Sequence, residues 1–399
     1  MAMTNSADEC FPRYWGWRVV VLCFTVAVFS WAFAFYGQSL YLVELQRLHG
    51  WSSFDLSMAS TLSYLAGAGL VIFVGEVLIK IGPRRFLLGG VVCLGLAVGL
   101  LGQVHLPWQL YSAYLLLAVG WSALNVVAIS ALIARWFDHN RSMAISMALN
   151  GASVGGVVGA PALIAAIGHL GFGAALGAGA LLMGAVLVPM ILAWGRFPPA
   201  TPRSQSTSVG RIGYWTRARA LRSLAFWSLA GPFALALFAQ VGILVHLMAI
   251  LEPKVGHAAA GLAISIISFM AVLGRLALGL LAARLHLRRA SAVFLLSQSV
   301  ALVLLDGSHS LSMILVACAL FGLTIGNVIT LPAMIVQREF DAGSFSLIVG
   351  MSTAVGQVTY AFGPGLLGLL HDHSGSYRAP ILLCAGLLGS AAVMVLRRP

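Results

Sequence analysis

Charge is scarce in this 399-residue sequence, and acidic charge scarcer still: charged residues are 9% of the chain, with 11 Asp and Glu against 23 Lys and Arg. A chain so poor in charge lies outside soluble globular composition. Cysteine is sparse too. Of the five, Cys23, Cys93, Cys318 and Cys384 fall inside apolar runs and Cys10 lies in the amino-terminal tail, so neither disulfide nor metal-ligand spacing is present. No phosphate-loop signature occurs, so no nucleotide-driven step is expected. No nucleophile–base set is spaced for hydrolysis, which sets a membrane enzyme aside. What abounds is apolar: 60% of residues are hydrophobic and the mean hydropathy is +0.97, the composition of a polytopic membrane protein.

The net charge of +12 does not point to nucleic acid, because the basic residues punctuate apolar runs instead of gathering on one face. Apolar stretches of about 18 or more residues give twelve expected spans, near 18–43, 55–79, 86–104, 110–134, 143–168, 173–194, 224–250, 258–283, 290–306, 311–336, 345–370 and 378–396. The first is too long for a signal-peptide core and no small-residue cleavage site follows it, so it is expected to stay as a transmembrane helix. With the amino terminus cytoplasmic, nineteen Lys and Arg fall inside and only Arg47, Lys254 and Arg378 outside. That asymmetry places both termini in the cytoplasm.

Between spans six and seven, Arg196 to Ser223 carries Pro198, Pro199, Pro202 and six arginines, the composition of a linker. The expected organisation is a six-helix bundle over 1–194, a cytoplasmic linker over 195–223 and a second six-helix bundle over 224–399. The halves match. Gly75, Lys80, Arg84 and Arg85 recur 204 residues later as Gly279, Arg284, Arg288 and Arg289; Gly120 and Asn125 recur 202 later as Gly322 and Asn327; Pro161 recurs 203 later as Pro364. A near-constant offset at three places describes two repeats related by an axis along the membrane normal. That is transporter architecture, with a site expected where the halves meet.

Within the eighth span stands Arg275, nine positions before Arg284, roughly 13 Å deep at 1.5 Å per residue. An arginine there costs at least about 2.5–3.5 kcal/mol unless a cavity or partner receives it. Its planar fork suits a carboxylate. The bland reading is a structural arginine bonded to helix carbonyls.

Several segments resemble the major facilitator superfamily, and within it the oxalate/formate antiporter and monocarboxylate-carrier branch. They are Gly82-Pro83-Arg84-Arg85-Phe86-Leu87-Leu88-Gly89-Gly90, Arg135-Trp136-Phe137-Asp138, Phe226-Trp227 with His246, Gly274-Arg275, and Gly363-Pro364 leading to Gly375-Ser376-Tyr377. The resemblance implies an all-α fold of twelve transmembrane helices in two six-helix repeats, no enzyme activity and no cofactor. It also implies a monomer in the bacterial inner (plasma) membrane, moving small organic anions by alternating access with a proton or counter-anion. There are departures. The loop position usually acidic is Ile79, and Ala283 in the second copy, so the gating relay of Lys80, Arg84, Arg85, Arg284 and Arg288 is weakened or rebuilt with Glu76. The aspartate expected one turn before the arginine is Ala271, the helix-1 lysine is replaced by the region Tyr36-Gly37-Gln38, and the basic residue of helix 11 by Val355-Gly356-Gln357. One cation instead of two suits a singly charged anion.

Other candidates for substrate contact are Asn125 and Asn327, amides that need partners in a bilayer, with Tyr36, Gln38, Gln240, Gln357 and Tyr360 on helices that line the cavity in the resembled family. Trp121 could stack on an organic substrate, and His246 reads as a gating residue. For each the alternative is packing. The glycines at 151, 155 and 159 read as close helix packing. Gly151 to Gly155 fits a nucleophile elbow only by coincidence, since it lies within a span. His371-Asp372-His373 reads as a solvated outer loop, and Asn140-Arg141-Ser142 as a cytoplasmic, unglycosylated tripeptide. The leading function is a carrier of small organic anions, most simply monocarboxylates. The alternative is a multidrug or siderophore-type carrier of bulkier amphipathic molecules, whose cation-exchanging version is disfavoured by the lack of a deep acidic residue.

Overall fold

The computed structural model describes residues 14–137, 140–198, 215–281, 284–308, 310–340 and 344–397. Cys10, Arg13, Asp138, residues 199–214 of the expected linker, Ala283 and Arg398 lie outside them. All regular structure among the described residues is helical, which suits a chain in hydrocarbon because an α-helix satisfies each backbone N–H and C=O within its own segment.

Among the described residues, twelve helical rods occupy the twelve expected stretches. They are α1 (Trp15–His49), α2 (Ser53–Ile81), α3 (Pro83–Leu101), α4 (Pro107–Ile133), α5 (Arg141–Val154 continuing to Leu170), α6 (Phe172–Trp194), α7 (Leu224–Val255), α8 (His257–Leu281), α9 (Leu287–Gly307), α10 (Leu311–Glu339), α11 (Phe345–Ala361 and Gly363–Ser374) and α12 (Arg378–Leu396). Ten are long and apolar enough to cross a bilayer alone, and α2, bent by 61° after Val71, makes an eleventh. The expected span over 345–370 differs. Pro364 stands at the start of Gly363–Ser374 and ends the preceding segment, so α11 is two pieces of 17 and 12 residues.

The chain forms two compact units. One holds Met1–His49 and Leu62–Ala200; the other holds Gly50–Thr61 and Thr201–Pro399. The same pairings occur within each: α1 packs on α5 as α7 packs on α11, and α3 touches α4 and α6 as α9 touches α10 and α12. The glycine spacing of α5 explains its approach. A Cβ at Gly151 would lie 2.1 Å from the Phe24 carbonyl oxygen and one at Gly155 2.4 Å from that of Val28. Here α1 and α5 both widen into π-turns, at Ala32–Tyr36 and Gly155–Gly159. In the second unit Gly363 meets α7 likewise, a Cβ falling 2.7 Å from the Phe238 carbonyl oxygen.

Helices α4 and α10 both break at their matched asparagines. Asn125 is extended and caps Val126–Ile133, its Oδ1 accepting from the Val127 amide at 2.9 Å. In α10, Gly326 separates Leu311–Ile325 from Asn327–Glu339.

Among the described residues, α8 and α10 approach most tightly where a Cβ at Gly274 would stand 1.7 Å from the Leu323 carbonyl oxygen. Gly274→Ala should destabilise the protein by about 2 kcal/mol or more, as overpacking does. Gly386→Ala on α12, where nothing lies within 4 Å, should be neutral or stabilising. Thermal unfolding of both variants in detergent checks the contrast.

Candidate functional site

In the second unit the candidate residues gather at two places. At the first, Arg275 sits inside α8, whose sequence from Ala258 to Leu281 holds no other charge. Its Cγ and Cδ lie against Gly326, where a Cβ would be 3.1 and 3.2 Å from them, and its Nε is sealed from solvent. The α10 break thus makes room for the arginine's stem. Asn327, fully buried, donates through Nδ2 to the Gly274 carbonyl at 3.3 Å and to that of Leu323 at 3.4 Å. Its Oδ1 has no donor among the described residues. An arginine and a half-satisfied amide therefore flank one helix break. Gln240 lies elsewhere: its Nε2 donates to Gln298 Oε1 at 2.8 Å between α7 and α9, both side chains buried. Gln357 and Tyr360 are half-buried on Phe345–Ala361.

In the first unit, Gln38 is fully buried just after the α1 π-turn. Its Nε2 donates to the Ala34 carbonyl at 2.6 Å, and Oε1 has no donor among the described residues. Trp121 stands edge-on to Trp31 at 4.6 Å and stacks on Phe35 at 6.3 Å, while Tyr36 meets Phe35 edge-on at 5.3 Å. The structure brings Trp121 and Tyr36 into one aromatic cluster, and turns Asn125 to capping its own helix.

Of the expected gating residues, Glu76, Lys80, Arg84 and Arg85 are exposed, and no ion pair joins them among the described residues. The second copy is different. Arg284 is exposed, but Arg288 is buried and all five of its N–H groups are engaged. Nε and Nη2 donate to Glu339 at 2.7–3.0 Å, Nη2 also to Ser228 Oγ at 3.1 Å, and Nη1 to the carbonyls of Val395 and Arg397 at 3.0 and 3.2 Å. Ala283 lies outside the described residues.

The second gathering surrounds His246, which is fully buried. Nε2 lies 3.0 Å from the Pro364 carbonyl oxygen and Nδ1 3.0 Å from the Tyr377 hydroxyl. A carbonyl only accepts, so Nε2 carries the hydrogen and Nδ1 accepts from the hydroxyl. Tyr377 stacks on His371 at 4.2 Å, and His371 Nδ1 is 3.0 Å from Asp372 Oδ1. Here the expected solvated loop is instead the last turn of α11, and Asp372 accepts from the amides of Phe54 at 2.7 Å and Ser53 at 3.3 Å. Ser52 Oγ accepts from the Asp55 amide at 3.0 Å, so the orphan amides of the first turn of α2 are shared between a local cap and a distant one. Burial raises the Asp372 carboxyl, but hydrogen bonds from Phe54, His371 and Ser53 outweigh it and hold the group below the usual carboxylate range.

Sequence reading missed four partners: Gln298, Glu339, Asp372 and the Tyr377 hydroxyl. Gln298, a lone amide in an apolar span, carried the signal that singled out Gln240.

Paired helix breaks, matched packing in the two units and polar side chains set at mid-span define a membrane-embedded solute carrier. The profile of the Major Facilitator Superfamily matches residues 20–359 and 254–399, and the chain belongs to that superfamily. It is 25% identical to the uncharacterized MFS-type transporter YcxA of Bacillus subtilis over 95% of this chain and 94% of that one. It is 28% identical to human monocarboxylate transporter 11 over 71% of this chain and 62% of that one. The fold is that of the nucleoside transporter NupG, with a TM-score of 0.72, 13% identity and coverage of 96% of this chain and 100% of that one. The protein is therefore a multi-pass integral membrane transporter and not an enzyme.

A depressed carboxyl contributes stability that is present above its ordinary range and lost as pH falls through the lowered one. Asp372→Ala should therefore lower stability by roughly 0.5–1 kcal/mol at pH 7, the usual worth of an anion at a helix N-terminus. The gap to wild type should close as the solution is acidified through the carboxyl's range. Unfolding midpoints of both proteins across a pH series measure it.

Proposed function

We propose that this transporter carries a small organic anion of the monocarboxylate class, by alternating access with proton coupling or exchange, and that Arg275 is its carboxylate clamp. The observation that carries the reading is the position of Arg275: a fixed cation midway along an otherwise uncharged apolar helix, where a guanidinium is retained for an anion or a pathway. In low dielectric its fork binds a carboxylate bidentately. In the same unit Asn327 Oδ1 supplies an acceptor for a hydroxyl or protonated acid. Relatives named monocarboxylate transporters support the substrate class. A single deep cation favours a monoanion over a dianion.

His246, hydrogen-bonded at both ring nitrogens, serves gating, and the arginine-rich loops with both termini face the cytoplasm. Uptake of radiolabelled monocarboxylates into proteoliposomes, with and without an imposed pH gradient, tests the reading. Arg275→Ala should abolish saturable uptake while the protein stays folded, and Arg275→Lys should also lose at least tenfold, because an ammonium cannot reproduce the fork. Unchanged transport in the alanine variant would discard the clamp.

A further inference from the structure

A cationic concavity lies away from Arg275, where α9 begins and α10 ends. Its volume is about 600 Å³, and Arg284, His286, Arg288, Arg289, Arg338 and Glu339 line it. Four guanidiniums face one carboxylate. That carboxylate is already committed, for Glu339 is held by Arg288 at 2.7–3.0 Å, and Arg288 is in turn fixed by carbonyls at the end of α12. The Arg288–Glu339 pair is thus a rigid floor, and the lining offers no second carboxylate to balance Arg284 and Arg289. Arg338 is held across the cavity, its Nη1 donating to the Leu285 carbonyl at 2.9 Å. Arg284 and Arg289 are exposed, and neither has a carboxylate partner among the described residues.

A further positive element points the same way. Helix α9 runs 21 residues from Leu287, and His286 before it provides no side-chain cap. Its first backbone bond is donated by the Ala290 amide to the His286 carbonyl, so the helix itself leaves the amides of Leu287, Arg288 and Arg289 unused at the cavity wall. Clustered like charges around a concavity repel one another, and a bound anion relieves that repulsion while meeting the helix end.

We propose that this concavity binds a phosphate-bearing anion through Arg284, Arg289, Arg338 and the amino terminus of α9. Phosphate offers oxygens for several guanidinium forks at once. The cavity stands at the ends of membrane-spanning helices, at the arginine-rich face where anionic headgroups concentrate, so a phospholipid headgroup and a free phosphate both present the required chemistry.

Native mass spectrometry of the full chain in neutral detergent, titrated with phosphatidylglycerol and with phosphatidylcholine as the zwitterionic control, tests the site. A parallel arm measures the thermal shift given by inorganic phosphate. Wild type should retain phosphatidylglycerol at least fivefold better than the double variant Arg284→Gln, Arg289→Gln, with no such difference for phosphatidylcholine. That result alone identifies the headgroup as the source. A saturable stabilisation by inorganic phosphate that the double variant lacks identifies a soluble source. Equal phosphatidylglycerol retention by wild type and variant, with no phosphate effect on either, overturns the proposal. Circular dichroism verifies that the variant is folded, and the single change Arg289→Gln, which should lose at least twofold, replaces it if it is not.

Discussion

A guanidinium carried midway along an apolar helix constrains everything around it. Arg275 cannot be neutralised by deprotonation, since an arginine side chain stays charged in proteins, and each carbonyl of a helix interior already accepts from the amide four residues on, leaving only its second lone pair. The neighbouring helix departs from regularity beside it. Helix α10 does so at Gly326, whose missing side chain admits the arginine's methylenes, and the next residue, Asn327, ties the broken segment back to the carbonyl of Gly274. The glycine before the arginine allows α8 and α10 to touch backbone to backbone. Gly274, Arg275, Gly326 and Asn327 thus form one structural unit, in which the polar residues require the small ones.

The matched positions of the two repeats have diverged in what they do. Asn125 and Asn327 both mark helix breaks, but Asn125 spends its oxygen on its own helix, whereas Asn327 bonds across to α8. Gly120 and Gly322 both bring α4 and α10 against a neighbouring backbone, yet the neighbours differ: Leu94 of α3 for one, Ile267 of α8 for the other. The first loop keeps its arginines exposed, while the second buries Arg288 on Glu339. Duplication supplied a common frame of helix pairs, and each unit then used its own polar residues differently.

Much of this frame was legible in the sequence because hydrophobic length, loop charge and a constant offset are local or periodic signals. Span boundaries, the repeat and the anomaly of Arg275 follow from them. Where the sequence misleads, the cause is a partner remote in the chain. Asp372 stands between two histidines after an apolar run and reads as a wet loop, yet it ends α11 and holds the amides of residues 53 and 54. Nothing local announces that. Glu339 likewise gains meaning only from Arg288, 51 residues earlier, and Gln298 from Gln240, 58 residues earlier. The split of α11 was available in Gly363-Pro364, since proline removes an amide and crowds the preceding turn.

Two arginines of the second unit, one buried and one half-buried, stand in contrasting surroundings. Arg288 stands at the first turn of α9, near the carboxyl end of α12, where terminal carbonyls are unclaimed by helix bonds. It takes those of Val395 and Arg397 and a carboxylate besides, so its charge is consumed in tying three helix ends together. Arg275 stands where no helix ends except the break that α10 makes beside it, and the sequence places alanine, not an acid, one turn before it at position 271. The carboxylate clamp proposed for Arg275 rests on that placement within an otherwise uncharged apolar helix. A guanidinium fork so placed has the geometry that pairs with a carboxylate, which is why the proposed substrate is an anion.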